Sequence, residues 1–297
     1  MKCWKLNDIP DLTGRAAVVT GGNVGLGFRS AMELCRKGAD VVIACRRPDA
    51  GQAAITRILA EVPDARIRCI TMDLTDFTSV QRFADEFREG YARLDILLNN
   101  AGVVNLEQLR HTADGHEMHM ATNHYGHFAL TGHLFGLLCA TPGARVVTVS
   151  SGGYRAGEIR FDDMDWRKRP YSRLKSYGTS KLANVLFMRA LQRRFEAAGA
   201  DAISLGAHPG LSGTERQQSI GMGGWLTRIL ASPVAIGVAP QLCAATCPTA
   251  QAGEYYGPRF GIRGAPRAEE IKPVGCDDDT GEKLWTLSAE VIGVSFG

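Results

Sequence analysis

Four groups of residues in this 297-residue chain have types and spacings that could do chemistry. Tyr177 and Lys181 stand four positions apart in a stretch that reads as helix, which places an ammonium one turn from a phenol. A free phenol has a pKa of about 10, so poising it at about 7 takes about 4 kcal/mol of preferential phenolate stabilisation. A neighbouring ammonium acts in that direction. Ser151 follows the run Arg145–Ser150, whose β-branched residues read as a strand, and its hydroxyl can hold an oxygen for transfer. The third group is TGGNVGLG, with glycines at 21, 22, 25 and 27 between an apolar strand and a helix. Such a turn offers backbone N–H groups and a positive helix end to a pyrophosphate. Fourth, the second strand ends in ACRRPD. Where an acid would accept from a ribose 2′-hydroxyl this chain has Cys45, then Arg46 and Arg47, a pair suited to a 2′-phosphate. Singly, these features also read as an exposed helix pair, a strand end, an ordinary turn and two solvated arginines.

The elements that must position these groups alternate. Strands are expected at Ala16–Thr20, Asp40–Cys45, Ile67–Asp73, Leu94–Asn99, Arg145–Ser150 and Ala202–Ala207. Helices are expected at Gly25–Lys37, Asp49–Ala60, Asp76–Arg88, Gly115–Leu138 and Ser176–Ala198. That order predicts an α/β fold, a doubly wound parallel sheet flanked by helices. No linker, repeat or low-complexity tract divides it, so one domain is expected. The stretches 152–175 and 210–264 break the alternation. Both follow strand ends on the ligand-binding edge, and so read as walls of a substrate site. The C-terminal DDDTGEKLWTLSAEVIG has the acids and apolar spacing of a capped helix.

Composition narrows the function. Hydrophobic residues at 45% and charged residues at 22% are those of a globular domain. Lys+Arg 34 against Asp+Glu 31 gives a net charge of +3, with no global case for nucleic acid. No segment reaches the roughly 20 apolar residues of a membrane span, and none has a signal-peptide pattern, which predicts a cytoplasmic protein. The eight cysteines are scattered without a CxxC and read as reduced thiols. Six of the seven histidines lie at 111, 116, 119, 124, 127 and 133, but their spacing completes no ligand shell, so no metal is expected. Glycine, at 34 residues, is in excess and points to tight turns and close backbone approach.

TGGNVGLG, LLNNAG, TNHYGHF, VVTVSS, YGTSK and HPGLSGT occur in an order that resembles the short-chain dehydrogenase/reductase family, over about Leu12 to Thr214. The ACR at the second strand, the long gap before Tyr177 and KLANVLF resemble the branch of retinol dehydrogenases and related carbonyl reductases. The resemblance implies a Rossmann-type fold and a catalytic set of Asn123, Ser151, Tyr177 and Lys181. It implies a dinucleotide held by Gly21, Asn23, Val24, Gly25, Leu26 and Gly27 at the pyrophosphate, and by Asp73 and Leu74 at the adenine. Asn100, Ala101 and Gly102 would line the adenosine and ribose, and Pro209, Gly210, Ser212 and Thr214 the nicotinamide side. Tyr177 and Lys181 would also reach the ribose.

On that footing Tyr177 is expected to donate the proton in carbonyl reduction, Ser151 to fix the substrate oxygen, and Asn123 to hold a water linking Lys181 to solvent. The cofactor expected is NADP(H) in preference to NAD(H). The expected partner is a hydrophobic small-molecule carbonyl or alcohol. The glycine-hinged apolar stretch with Met222, Trp225, Leu226, Ile229 and Leu230 reads as a substrate lid, a packing helix or a contact in a homodimer. The reading from a different class is a catalytically idle NADP(H)-binding redox sensor or scaffold, against which the Tyr177–Lys181 pair counts.

Overall fold

The computed structural model describes residues 4–210 and 237–296; the expected lid segment from 211 to 236, with Ser212 and Thr214, lies outside them. In chain order the described elements begin β1 Ala16–Thr20, α1 Gly25–Arg36, β2 Asp40–Cys45, α2 Pro48–Glu61, β3 Arg66–Thr71, α3 Phe77–Gly90 and β4 Ile96–Asn99. Then come α4 Met118–Met120, a π-helical turn Ala121–Tyr125, α5 Gly126–His133, α6 Phe135–Ala140, β5 Arg145–Val149, α7 Arg173–Ala197 and β6 Ile203–Ala207. The described part closes with α8 Ala239–Thr246, β7 Tyr255–Pro258, β8 Pro266–Glu269 and α9 Asp278–Ile292.

The strands form one eight-stranded sheet in the order β3-β2-β1-β4-β5-β6-β7-β8, parallel except for the last pair. Every residue of β1 is buried, as a strand covered on both faces requires. Its side chains alternate between two cores. Ala17 and Val19 pack with Leu34, Ile43, Ile58 and Leu242 under α1, α2 and α8. Val18 packs on the other face with Val42, Phe83, Phe128 and Phe187 under α3, α5 and α7. The chain reverses direction of travel across the sheet between β1 and β4, which pair directly. In such sheets the crevice beyond those strand ends receives the ligand.

Three sequence expectations change. The single helix over 115–138 is four pieces, because the turn Ala121–Tyr125 is π-helical and Leu134, at φ −99° and ψ 1°, interrupts the helix again. The stretch 210–264 is not only a site wall: it supplies α8 to a core and β7 to the sheet. β7 escapes sequence reading because it is four residues long and contains Gly257 and Pro258. Glycine is needed there, since a Cβ on Gly257 would lie 2.2 Å from the His208 Nε2. Finally, the stretch 152–175, read from the sequence only as a break in the alternation and a site wall, has an internal anchor. It is tied around the buried Asp163, whose Oδ1 accepts from the Arg167 and Lys168 N–H groups. The C-terminal helix is as expected: Asp277 accepts from the Thr280 N–H, and Gly293 ends the helix at φ 72°.

Candidate active site

The glycine loop takes its shape from positions where a side chain could not fit. Gly21 and Gly25 sit at φ +65° and +59°, in the left-handed region. A Cβ on Gly27 would lie 2.3 Å from the Gly21 carbonyl oxygen and 2.6 Å from Asn100 Nδ2. The helix that follows has Val24 as its N-cap, and no side chain caps it. Its first-turn N–H groups and positive end therefore have no anionic or hydroxyl partner from the cap position. Half-buried Asn23 and Leu26 flank the loop, and Val24 is exposed at its rim. A backbone cradle of this kind fits a dinucleotide pyrophosphate.

Thr20, buried at the end of β1, ties this loop to the end of β4. Its Oγ1 accepts from the Asn100 and Ala101 N–H groups, each at 2.9 Å. The Asn100 amide donates to the Thr20 carbonyl at 2.8 Å, and its Oδ1 accepts from Gln241 of α8 at 3.2 Å. The Asn100 side chain is thus a clamp between elements, while Ala101 and Gly102 present backbone to the crevice. A Cβ on Gly102 would come within 3.0 Å of Asn123 Oδ1 and 3.6 Å of Lys181 Nζ. Asp73, just beyond β3, uses Oδ1 to accept from the Thr75 N–H and hydroxyl. Leu74 is buried, and a Cβ on Gly126 would lie 2.4 Å from its carbonyl oxygen. At the end of β2, Arg46 and Arg47 are both exposed, and among the described residues neither is in an ion pair. Pro209 and Gly210 follow β6, with Gly210 at φ +67° and close against the Ile262 carbonyl.

The four expected catalytic residues converge from β5, α7 and the π-turn. The Ser151 and Tyr177 side chains meet over Gly153, where an added Cβ would lie 3.6 Å from the Ser151 Oγ and from the Tyr177 ring, and the Ser151 hydroxyl accepts from the Gly153 N–H at 3.2 Å. Lys181, one turn along α7 and 4% exposed, donates to the Val149 carbonyl at 3.1 Å. Its ammonium lies 5.8 Å from the centre of the Tyr177 ring. Burial lowers the Lys181 pKa from 10.5 to about 8. Burial also raises the Tyr177 phenol above its ordinary value, against a smaller opposite effect of the Ser151 hydrogen bond. The sequence argument had the opposite sign, because it counted the ammonium and not the desolvation around both groups.

Asn123 ties elements together. Its side chain accepts from the Val103 N–H at 2.8 Å and donates to the Val103 carbonyl and the Ser180 hydroxyl, so it clamps the loop after β4 to α7. Its carbonyl oxygen is 3.0 Å from His127 Nδ1. Placing Asn123 in a π-helical turn is a common device at functional sites, and has no simple sequence signature.

Several supporting residues were not singled out from the sequence. His127, four residues after Asn123, bridges to Thr20 Oγ1 at 2.9 Å. Burial lowers its pKa to about 4, so the ring is neutral and can donate through one nitrogen while accepting through the other. His119 is fully buried beside Tyr177, ring centres 5.9 Å apart, with Nδ1 3.0 Å from buried Glu117 and 2.8 Å from Ser176 Oγ. A cavity of about 460 Å³ lined by Glu158, Arg160, Trp166, Arg169, Lys175 and Thr179 is separate from this site. Lys175 and Thr179 each stand two positions from Tyr177, on the opposite face of α7.

The chain is similar to known proteins over most of its length. Residues 15–222 match the short chain dehydrogenase family. The chain is 34% identical over 296 residues to human retinol dehydrogenase 13, covering 95% of this chain and 86% of that protein. It is 35% identical over 312 residues to a short chain dehydrogenase/reductase of Colletotrichum higginsianum, covering 97% and 77% of the two chains. A crystal structure of an uncharacterized protein from Mycobacterium paratuberculosis superposes with a TM-score of 0.84 at 36% identity, with all of both chains covered. A short chain dehydrogenase from Shigella flexneri, solved with NADP, shares the fold with a TM-score of 0.66 at 21% identity, over 83% of this chain and 98% of that one. No helix among the described residues is long and apolar enough to cross a membrane. With the glycine cradle at the sheet's reversal point and the Ser–Tyr–Lys cluster beside it, the chain is an oxidoreductase of the short-chain dehydrogenase/reductase family, in the branch that holds the retinol dehydrogenases.

Proposed function

We propose that the protein interconverts a carbonyl and an alcohol on a hydrophobic small molecule with NADP(H), using Tyr177 as general acid and base. The observation that carries this reading is the meeting of the Ser151 and Tyr177 side chains over Gly153, with the buried Lys181 ammonium 5.8 Å from the centre of the phenol ring. When bound, the dinucleotide supplies the hydride that reduces the carbonyl carbon. The protein supplies the proton. Burial raises the Tyr177 phenol above its ordinary value, which favours the protonated form that a proton donor needs. Ser151 binds the substrate oxygen and the phenol hydroxyl gives that oxygen its proton, leaving phenolate. The Lys181 ammonium, held in place by the Val149 carbonyl, stabilises the phenolate. Asn123, anchored between the loop after β4 and α7, is placed to hold the water that returns the proton.

The backbone cradle of Gly21, Asn23, Val24, Gly25, Leu26 and Gly27 holds the pyrophosphate, and Gly102, Lys181 and Gly210 border the space for the ribose and nicotinamide. Arg46 and Arg47, exposed and without ion pairs among the described residues, support the preference for a 2′-phosphate over a bare ribose hydroxyl. Charge-assisted hydrogen bonds of this kind are worth about 1.5–3 kcal/mol. The similarity to proteins named retinol dehydrogenases supports a lipophilic substrate.

The test is consumption of NADPH and of NADH with a panel of aliphatic, aromatic and polyene aldehydes and ketones, for the wild type and Arg46→Ala. The wild type consumes NADPH with lipophilic carbonyls, and the substitution raises the KM for NADPH about tenfold or more with little effect on NADH. Equal effects on the two cofactors refute the phosphate reading. Tight dinucleotide binding without turnover on any carbonyl marks an idle binder instead.

A further inference from the structure

Cys45 and Cys69 have no part in the chemistry above, yet they stand at the edge of the proposed phosphate site. The parallel register pairs Cys45 with Thr71 and Cys69 with Ile43. The two thiols therefore share one face of the sheet, two residues out of register, and their sulfurs are 3.6 Å apart. Helix α2 crosses directly over them at Gly51, where a Cβ would lie 2.3 Å from the Cys69 sulfur and 3.0 Å from the Cys45 sulfur. Only glycine lets the helix sit so close to the pair. Cys45 is the last residue of β2, and its thiol donates to the Arg47 carbonyl at 3.2 Å, which pins the turn carrying Arg46 and Arg47.

We infer that Cys45 and Cys69 are a redox modification site, which a hydroperoxide converts to a disulfide that displaces Arg46 and Arg47 from the cofactor's 2′-phosphate. The inference rests on the NADP(H) reading given above. The hydrogen bond from the Cys69 thiol draws the Cys45 thiol below its ordinary value, which makes Cys45 the nucleophile of the pair. The Cys45 thiolate attacks the peroxide oxygen, the O–O bond breaks, and hydroxide leaves with the bonding pair. The resulting sulfenic acid is attacked by the Cys69 sulfur, a disulfide forms, and the sulfenic oxygen departs as water with the Cys69 proton. Overall two thiols lose two electrons and one peroxide gains them.

Bond formation reaches the arginines in two ways. A disulfide sulfur has no proton to donate, so the hydrogen bond to the Arg47 carbonyl is lost. The sulfurs must also close from 3.6 Å to about 2.0 Å. Residues two out of register on neighbouring strands have Cα atoms about 7–8 Å apart, wider than the about 4.4–6.8 Å that a disulfide spans. The end of β2 must therefore shift, and the Arg46–Arg47 turn shifts with it.

The experiment uses the whole chain, reduced with dithiothreitol, desalted, and treated or not treated with hydrogen peroxide. Peptide mapping by mass spectrometry finds a linked Cys45–Cys69 pair only after peroxide. The linked enzyme shows a KM for NADPH raised about tenfold or more and a KM for NADH changed by less than about twofold. Dithiothreitol reverses both changes. Cys69→Ser, or Cys69→Ala if serine disturbs the strand, keeps its NADPH constant through the same treatment. Absence of the linked peptide overturns the inference, as does a linked enzyme with an unchanged NADPH to NADH ratio. A reduced enzyme that uses both cofactors equally overturns the phosphate reading and with it the effect on the arginines, while the peptide map still decides whether the thiols bridge.

Discussion

Replacing Tyr177 by phenylalanine removes one hydroxyl and little else, which makes it the sharpest test of the catalytic assignment. The ring stays edge-on to His119, with centres 5.9 Å apart, and keeps its place against Gly153. What is lost is at most one hydrogen bond, toward the neighbouring Ser151. A single hydrogen bond of this kind contributes about 0.5–1.5 kcal/mol net, so the melting temperature should fall by no more than about 5 °C. Turnover should fall far more. Loss of a positioned general acid costs about 10²–10⁴-fold in rate, equivalent to about 3–5 kcal/mol in the barrier. The assay follows loss of reduced nicotinamide absorbance with a lipophilic aldehyde, alongside dinucleotide binding by fluorescence quenching. The expected pattern is a kcat reduced by two to four orders of magnitude with the dissociation constant for NADPH within about threefold of wild type. A folded variant that retains kcat within about tenfold of wild type refutes the role of the phenol.

Three further substitutions test the supports around the site. Gly27→Ala drives a methyl group into the Gly21 carbonyl and the Asn100 amide, so dinucleotide affinity should drop about tenfold or more. Gly136→Ala, where nothing lies within 4 Å of the added carbon, should leave affinity unchanged and add about 0.5–1 kcal/mol, the helix-propensity gain. Equal binding by the two variants in a fluorescence titration argues against the cradle. Lys181→Met should abolish turnover yet raise stability at neutral pH. The lysine pKa is lowered from 10.5 to about 8 in the fold, so between those values the unfolded chain binds more protons and wild-type stability rises with pH. The buried charge therefore costs roughly 3 kcal/mol below about pH 8, a cost that methionine removes. Thermal melts across pH should show the variant's advantage shrinking from about pH 8 upward, and an advantage independent of pH would contradict the assignment.

The parts of the site that were legible from the sequence are those where local chemistry and backbone geometry coincide. The glycines at 21, 25 and 27 announce a strand-to-helix turn, and β1 and β2 occupy the expected residues. Ser151, Tyr177 and Lys181 come together because a strand end and one helical turn fix their relative positions. The less legible parts depend on tertiary packing. Nothing local to Asn100 reveals that its amide joins Thr20 to Gln241, which is 141 positions away. Nothing in β7 shows alternation, because Gly257 and Pro258 take half of its four residues for a close approach to His208. The proton affinity of Tyr177 was misjudged for the same reason. Spacing reveals the neighbouring charge, whereas desolvation is set by everything packed around it.

The two halves of the site are joined by a single buried polar chain, and its bonding pattern is self-consistent only with a neutral imidazole at its centre. Backbone N–H groups of Asn100 and Ala101 donate to Thr20 Oγ1, whose own proton faces His127 Nε2 at 2.9 Å, with the Leu98 carbonyl a longer second acceptor at 3.4 Å. With Nε2 accepting, His127 Nδ1 carries the hydrogen and faces the Asn123 carbonyl at 3.0 Å. The Asn123 amide donates to Ser180 Oγ, which donates in turn to the Tyr177 carbonyl at 2.8 Å. Each member has a donor or an acceptor where its neighbour needs one, the condition under which a buried network rigidifies rather than destabilises a core. The cradle that receives the dinucleotide and the helix that carries the phenol are therefore held to one another through hydrogen bonds, not only through apolar contact. Burial, by keeping His127 uncharged, maintains the one proton arrangement in which Thr20 can accept from the cofactor loop and donate toward the catalytic helix. The same desolvation that raises the Tyr177 phenol and lowers the Lys181 ammonium thus also keeps intact the network that sets their distance from the cofactor cradle.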